Sequence, residues 1–319
     1  MNFTLVSSEV RVGFNVAYYS YPGKPLLSIN MAEELDRIKA DSEEKNFVRL
    51  FEEALKTFRG DLSDDDISKG IKDTISEFRK SIFNSCSIEN FQYHYQRCGY
   101  FFRYSAPSAG LARDRVLDAI RNCQELRFLL TRQSMKILSI GSGPGSDIIG
   151  LCSAFYEVNE IFKPEFILVD HNIEWKVYFC VLFYLLRNNN FGYASSLFRY
   201  PTKEPLFITA DTKFRPEGDY LIALKTADII WMKGLLSILH CSCKRHFVIQ
   251  NVISSMARGA LLLVVDSPFC DTFDEYSDIL ERLYSQKNER YSFNHRPAED
   301  YGYGFSPSSN QIINVFMKK

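Results

Sequence analysis

Residues 136–147 read Lys-Ile-Leu-Ser-Ile-Gly-Ser-Gly-Pro-Gly-Ser-Asp. A short apolar strand, Ile137 to Ile140, runs into glycines at alternate positions, Gly141, Gly143 and Gly145, and a helical pattern starts at Ser146-Asp147. Glycine adopts left-handed backbone angles that a side chain forbids, and it lets a ligand approach the main chain closely. A strand that ends in such a turn, beside a helix N-terminus with unpaired N–H groups, is a cradle for a nucleotide-like ligand. The alternative is a glycine-rich turn with no ligand, and the flanking sequence decides between the two.

A dinucleotide fingerprint has the spacing G-x-G-x-x-G, with its third glycine inside the helix. Here the spacing is G-x-G-x-G, with Ser142 and Pro144 between the glycines and an acid, Asp147, just beyond. A carboxylate at that point repels pyrophosphate and suits a ligand that carries an ammonium group. The segment from Ile137 to Asp147 resembles the first motif of class I S-adenosylmethionine-dependent methyltransferases. That resemblance implies contacts from Gly141, Ser142, Gly143, Pro144, Gly145 and Asp147 to S-adenosyl-L-methionine.

The sequence downstream agrees. Glu165-Phe-Ile-Leu-Val-Asp170 is an apolar run ending in an acid, and an acid at the tip of the second strand of such folds accepts hydrogen bonds from ribose hydroxyls. The resemblance gives Asp170 that role, with His171 beside it. Trp175 follows, to lie against adenine or to pack on the sheet. A third run, Pro205 to Asp211, again ends in an acid, and the resemblance places Asp211 and Thr212 near the adenine amino group. Ala227 to Lys233 and Gly259 to Asp266 read as two further strands of parallel-sheet character, near-continuously apolar as burial on both faces requires. The expected fold is α/β: a doubly wound, seven-stranded, mostly parallel sheet preceded by helices. In the family the last two strands form an edge hairpin, here expected from Tyr291–His295 and Gln311–Met317.

The chain has 319 residues, of which 46% are hydrophobic and 14% aromatic, enough for a large core. Its formal net charge is −1, so no overall field draws it to nucleic acid or membrane. The longest purely apolar run, Val177 to Leu186, is too short to span a bilayer. The first residues lack the basic start and long apolar stretch of a secretory signal. An intracellular location, cytoplasmic or nuclear, is expected, without a membrane. The 8 cysteines are scattered and read as reduced, buried thiols. Cys241 and Cys243 lack the two-residue gap of common zinc sites and have no second cluster, so no metal is expected.

Composition shifts near residue 130, which predicts a mainly helical N-terminal domain over 1–130 and a cofactor-binding domain over 131–319. Asn30-Met-Ala-Glu33 reads as a capping box opening a helix that ends at Gly60, and Ser63 starts a second helix reaching about Phe83. Ser87 starts a third helix, to about Tyr104. Pro107-Ser108 is expected to break the chain before a fourth, ending near Leu130. Residues 3–20 alternate as a strand pair would.

Charge is uneven. Residues 31–90 carry a net of −5 (15 acids, 10 Lys or Arg), and residues 97–136 a net of +5 (8 Lys or Arg, 3 acids). Arginine forks onto phosphate, so this stretch favours RNA as methyl acceptor; the alternative is ion pairs with the acidic N-terminal helices. Within it, Tyr93 to Arg115 is dense in aromatics and arginines. In many class I enzymes the segment before the first strand folds over the cofactor. Tyr100, Arg103 and Tyr104 are therefore pocket candidates, with Arg103 on the methionine carboxylate, or else helix core with Arg103 snorkelling. The stretch also resembles a group of methyltransferases that includes large-subunit rRNA uridine-N3 enzymes.

At the end of the fourth strand, amino-directed nucleic-acid enzymes resemble Asn/Asp-Pro-Pro-Tyr/Phe. This chain has Trp231-Met-Lys233-Gly234 there, which speaks against adenine-N6 or cytosine-N4 as acceptor. Lys233 is a candidate base if burial depresses its pKa, a contact to phosphate or carboxylate, or the solvent end of the strand. No catalytic residue follows from sequence. The expected function is methyl transfer from S-adenosylmethionine to RNA, a small molecule or a protein, or cofactor binding without catalysis.

Overall fold

Helices open the chain: α1 (Leu26–Phe58), α2 (Asp64–Asn84), α3 (His94–Asn122) and the short α4 (Gln124–Leu129). Strands and helices then alternate as β1 (Ser134–Ile140), α5 (Ser146–Val158), β2 (Lys163–Asp170), α6 (Trp175–Asn188), α7 (Gly192–Arg199) and β3 (Leu206–Thr209). They continue as α8 (Gly218–Thr226), β4 (Ile229–Lys233), α9 (Leu235–Ile238), α10 (Ser242–Ser255) and β5 (Leu261–Asp266). Last come β6 (Leu280–Ser285), β7 (Tyr291–Ser292), β8 (Ser308–Ser309) and β9 (Ile312–Lys318). The computed structural model describes residues 26–84, 91–199, 203–239, 241–287, 289–305 and 308–319. The strand pair expected over 3–20 lies outside them. Among the described residues no helix is long and apolar enough to cross a membrane.

The large sheet has seven strands in the order β3-β2-β1-β4-β5-β9-β6. β1 to β5 run parallel, and β9 is antiparallel to both its neighbours. Successive residues face opposite sides of a strand, and the core divides accordingly. Ile137, Leu168, Trp231 and Leu263 join the aromatic-rich core under α3, α5 and α6. Leu138, Val169, Met232 and Val264 join the aliphatic core under α8 and α10. Strand order reverses at β1 and β4, which opens a crevice at the carboxyl ends of these strands.

The edge partner of β9 differs from expectation. It is Leu280–Ser285, whereas Tyr291–Ser292 pairs with Ser308–Ser309 in a separate two-stranded ribbon. The sheet edge takes the longer run, which buries Leu280 and sets the Arg282 guanidinium over the Phe316 ring at 4.7 Å.

Pro107 does not break α3, which runs through it. Phe101, Ala106, Ala109 and Ala112 are fully buried along this helix. Burying such a face outweighs the roughly 3 kcal/mol of an internal proline. α3 meets α5 so closely that a Cβ on Gly150 would lie 2.0 Å from the Ala109 carbonyl oxygen. α1 begins at Leu26, so Asn30 lies within the helix and not at its cap; Leu, Ser and Ile in the run 26–29 contain no helix breaker. α2 does start at a box: Ser63 Oγ accepts from the Asp66 N–H (3.2 Å), and Asp66 accepts from the Ser63 N–H (2.9 Å).

Two compact units divide the chain, Met1–Lys39 and Ala40–Lys319. The helices from Ala40 onward fall in the same unit as the sheet. In the first unit the described part is the opening of α1. The cysteines also differ from expectation. Cys241 and Cys243 are joined by a disulfide, their Cα atoms 5.4 Å apart, within the reach of the bond, and Cys180 is exposed. Cys98, Cys123, Cys152 and Cys270 are buried thiols as expected, and Cys86 lies outside the described residues.

Candidate functional site

The glycine turn sits at the switch point. Gly141, Gly143 and Gly145 have φ of 67°, 49° and 80°, the left-handed region that each alternate position of the turn demands. The turn is tied to the end of β2: the Gly141 and Ser142 N–H groups donate to the Val169 carbonyl (2.8 and 3.1 Å). The Gly143 N–H donates to Asp170 Oδ2 (2.8 Å). Gly145 then caps α5, and Ser146 Oγ donates to Ser105 Oγ of α3 (2.7 Å).

Above the turn lies a cavity of about 390 Å³, within the range of small-molecule sites. Gly141, Ser142, Gly143, Pro144 and Asp147 form its floor, and Lys233 and Ser237 one end. Phe78, Tyr100 and Tyr104 form an aromatic wall, with Ser108 of α3 beside them. Ser142 Oγ is buried and has no hydrogen-bond partner, an orphan hydroxyl at the cavity floor. A Cβ on Gly143 would meet nothing within 4 Å, so the space over the turn is open.

Asp147 is buried, and its Oδ2 accepts a hydrogen bond from Trp231 Nε1 (2.6 Å). Burial pushes its carboxyl pKa up, opposed first by the nearby Lys233 charge and then by the indole. Lys233, at the end of β4, donates to Ser108 Oγ (2.7 Å). Burial pushes its pKa down, opposed by Asp147 and Asp266. Lys233 is half-buried and the least buried residue of β4, where the strand ends at the cavity. Asp147 on α5 and Lys233 on β4 place opposite charges around one small volume.

The other expected contacts lie outside this cavity. Asp170 is buried and already paired: its Oδ2 takes the Gly143 N–H and its Oδ1 the Asn172 N–H (2.9 Å). His171 Nδ1 lies 3.4 Å from Asp170 Oδ1. Burial raises the Asp170 pKa, opposed first by its backbone donors. Trp175 is packed among Phe91, Tyr100 and Tyr178, at ring separations of 5.9, 5.6 and 5.1 Å; of its two expected places it takes the core. Asp211 receives the Lys213 N–H (3.0 Å) and pairs with its ammonium (3.1 Å), and Thr212 is buried beside it. Gly145 faces away from the cavity; a Cβ there would meet the Phe179 ring at 2.2 Å.

Arg103 does not face the cavity, because its guanidinium donates to the Tyr303 and Gly304 carbonyls (2.9 and 3.0 Å); Tyr104, one residue on, does line it. The neighbouring arginines are similarly engaged. Arg97 pairs with Glu174 (3.3 Å), Arg113 with Glu157, Arg115 with Asp114 (3.0 Å) and the Gln311 carbonyl, and Arg132 with Asp228 (3.0 Å). These carboxylates lie outside α1 and α2, while the Arg113 charge also acts on Glu43 of α1. Buried guanidiniums need donors satisfied locally, and the nearest carbonyls and acids supply that. Sequence reading missed Phe78, Ser108 and Gln311 as cavity residues. Their presence follows from α2 and α3 packing and from the path of the chain into β9, which no local motif encodes.

No family model matches the chain, and no curated protein matches it. Among solved structures it is similar to TehB from Haemophilus influenzae (14% identity, TM-score 0.38, 61% of this chain and 62% of that one). It is also similar to the N-methyltransferase NodS from Bradyrhizobium japonicum WM9 (14% identity, TM-score 0.35, 64% and 98%). A further similar structure is an rRNA methylase from Streptococcus thermophilus (9% identity, TM-score 0.35, 66% and 95%). The chain thus spans less than two thirds of the length of TehB. Five parallel strands, an antiparallel edge pair and a glycine turn at the switch point define the class: the fold is that of the class I S-adenosylmethionine-dependent methyltransferases.

Proposed function

We propose that this protein binds S-adenosylmethionine over the Gly141–Gly145 turn and transfers its methyl group to a small acceptor. One observation carries the reading. The turn opens on a cavity lined by Ser142, whose buried hydroxyl has no partner, and by the buried acid Asp147. An orphaned donor and an acid suit the amino-acid end of that cofactor, whose carboxylate accepts and whose ammonium donates. Ser142 and the turn would hold the carboxylate, and Asp147 would face the ammonium. Asp170, His171, Asp211 and Thr212 stand at the neighbouring strand ends, where the ribose and adenine would lie. The bound cofactor supplies an activated methyl group on a sulfonium centre. The chain's own part is to fix the acceptor in line with it and to exclude water.

A small acceptor is favoured over RNA because Arg97, Arg103, Arg113 and Arg115 spend their guanidiniums on partners within the molecule. The cavity wall holds a single cation among the described residues, Lys233. Phosphate backbones are recognised by free, clustered cations.

Calorimetry with S-adenosylmethionine and its demethylated product tests the binding. Gly143→Arg should weaken binding at least 100-fold, about 2.7 kcal/mol, because its side chain enters the open space over the turn. Its left-handed φ of 49° adds about 1–2 kcal/mol of strain, so the variant should still fold. No binding to the unmutated protein overturns the reading. Incubation with tritiated cofactor and fractionated RNA, protein and metabolite pools tests the acceptor: label in RNA reverses the preference, and binding without label marks a protein that holds the cofactor without transfer.

A further inference from the structure

The acceptor end of the cavity combines three features that the fold alone does not require. The first is an aromatic wall. The Phe78 and Tyr100 rings lie within 11° of parallel at 6.4 Å, and Tyr104 is tilted against them by 46° and 38° at centroid separations of 5.3 Å. Rings so arranged take a planar guest by face or edge contact. The second is Lys233, the sole cation in the lining among the described residues, aimed by its hydrogen bond to Ser108 of α3.

The third feature is that both carboxylates near Lys233 serve other donors. Asp147 on α5 holds the Trp231 indole. Asp266 on β5 accepts from the Leu236, Ser237 and Ser267 N–H groups at 2.8, 3.3 and 2.7 Å. Lys233 therefore faces a hydroxyl from α3, an acid from α5 and an acid from β5 without a direct ion pair to either. Tyr100, also in the wall, is held protonated by burial. Burial lowers the Lys233 pKa against the pull of the two acids, and its one hydrogen bond goes to a neutral hydroxyl. An amine so placed beside aromatic rings suits an acceptor whose nucleophile must first lose a proton.

We propose that Lys233 is the proton acceptor for an aromatic hydroxyl substrate, a phenol packed against Phe78, Tyr100 and Tyr104. The phenol O–H proton passes to Lys233 Nζ, giving an ammonium. A lone pair on the phenolate oxygen forms the new bond to the methyl carbon as the carbon–sulfur bond breaks, and that bonding pair stays on sulfur. The ammonium then releases its proton to solvent. An amine acceptor needs only its neutral lone pair, and a carboxylate acceptor needs no base. The inference rests on the methyl-transfer reading above.

The test uses the full chain saturated with S-adenosylhomocysteine and 4-nitrophenol as probe, whose visible absorption reports its ionisation. Bound to the unmutated protein, the probe should titrate about one pH unit or more below its value in solution, because an ammonium–phenolate pair forms at Lys233. Lys233→Met should return the bound probe to its solution value while S-adenosylhomocysteine binds within about threefold of normal. If Lys233→Met fails to fold, seen as loss of that binding, Lys233→Gln, which still reaches Ser108, carries the same comparison. An unshifted probe in the unmutated protein, an equal shift in the variant, or no probe binding while S-adenosylhomocysteine binds each overturns the proposal. Failure of S-adenosylhomocysteine itself to bind overturns the methyl-transfer reading, and this one with it.

Discussion

The two sides of the crevice over the sheet are built differently. On the β1 and β4 side the residues line a cavity: Ser142, whose buried Oγ has no partner, with Asp147 and Lys233. On the β2 and β3 side the equivalent groups are spent. Asp170 holds two backbone N–H groups, Asp211 holds Lys213, and Trp175 is wedged among rings. The open side lines a cavity. The closed side is engaged in contacts of the fold itself.

That contrast is open to direct attack. Trp175→Ala should be the most damaging change, about 3–5 kcal/mol in urea unfolding, because the ring is 3% exposed and packed on three others. A cost under about 1 kcal/mol would show that the closed side is not cemented. Asp170→Ala strands the Gly143 and Asn172 N–H groups, so it should cost about 2 kcal/mol of stability in addition to weakening cofactor binding.

Asp147→Asn belongs to the open side and should stabilise by a few degrees in Tm at neutral pH. Burial raises the Asp147 pKa, so the folded state holds its proton more tightly than the unfolded one, and ionisation costs stability as pH rises through that raised value. The gain from Asn should therefore shrink to nothing as pH falls into the ordinary carboxylate range. A melting series from pH 4 to 8 on both proteins measures it. Ser142→Ala should change folding least, within about 0.5 kcal/mol, because its hydroxyl has no partner to lose, while cofactor affinity falls by about three- to tenfold.

What sequence reading could see was local and periodic. Ile137 to Ile140, the glycines after it, and the acids at 147 and 170 fall where the structure has a strand, a left-handed turn, a carboxylate in the first turn of α5 and one at the end of β2. Alternation and glycine spacing are properties of a few adjacent residues, so they survive without a fold. What it could not see depended on distant partners. Pro107 looked like a break because its own chemistry opposes a helix, and only the buried alanines and phenylalanines around it override that preference. The arginines of 97–132 read as a basic stretch because their acceptors, such as the Gly304 carbonyl and Glu157, lie far along the chain. Trp175 had two possible places, and the choice was made by Phe91 and Tyr100, which no spacing rule connects to it.

The contact between Gly150 and Ala109 sets a gauge. α3 carries Tyr100, Tyr104 and Ser108, and α5 grows directly from the glycine turn, so one backbone-to-backbone touch fixes the width between acceptor wall and turn. α3 is a rod of 29 residues, about 43 Å long, and shifting it to admit a bulkier guest would drag its whole buried face. Breadth of substrate in relatives of this chain should accordingly be written in side-chain size at 78, 100 and 104, with 109 and 150 kept small. The pocket behaves as a machined slot of set width, whose guests are sorted by trimming its jaws and not by moving them.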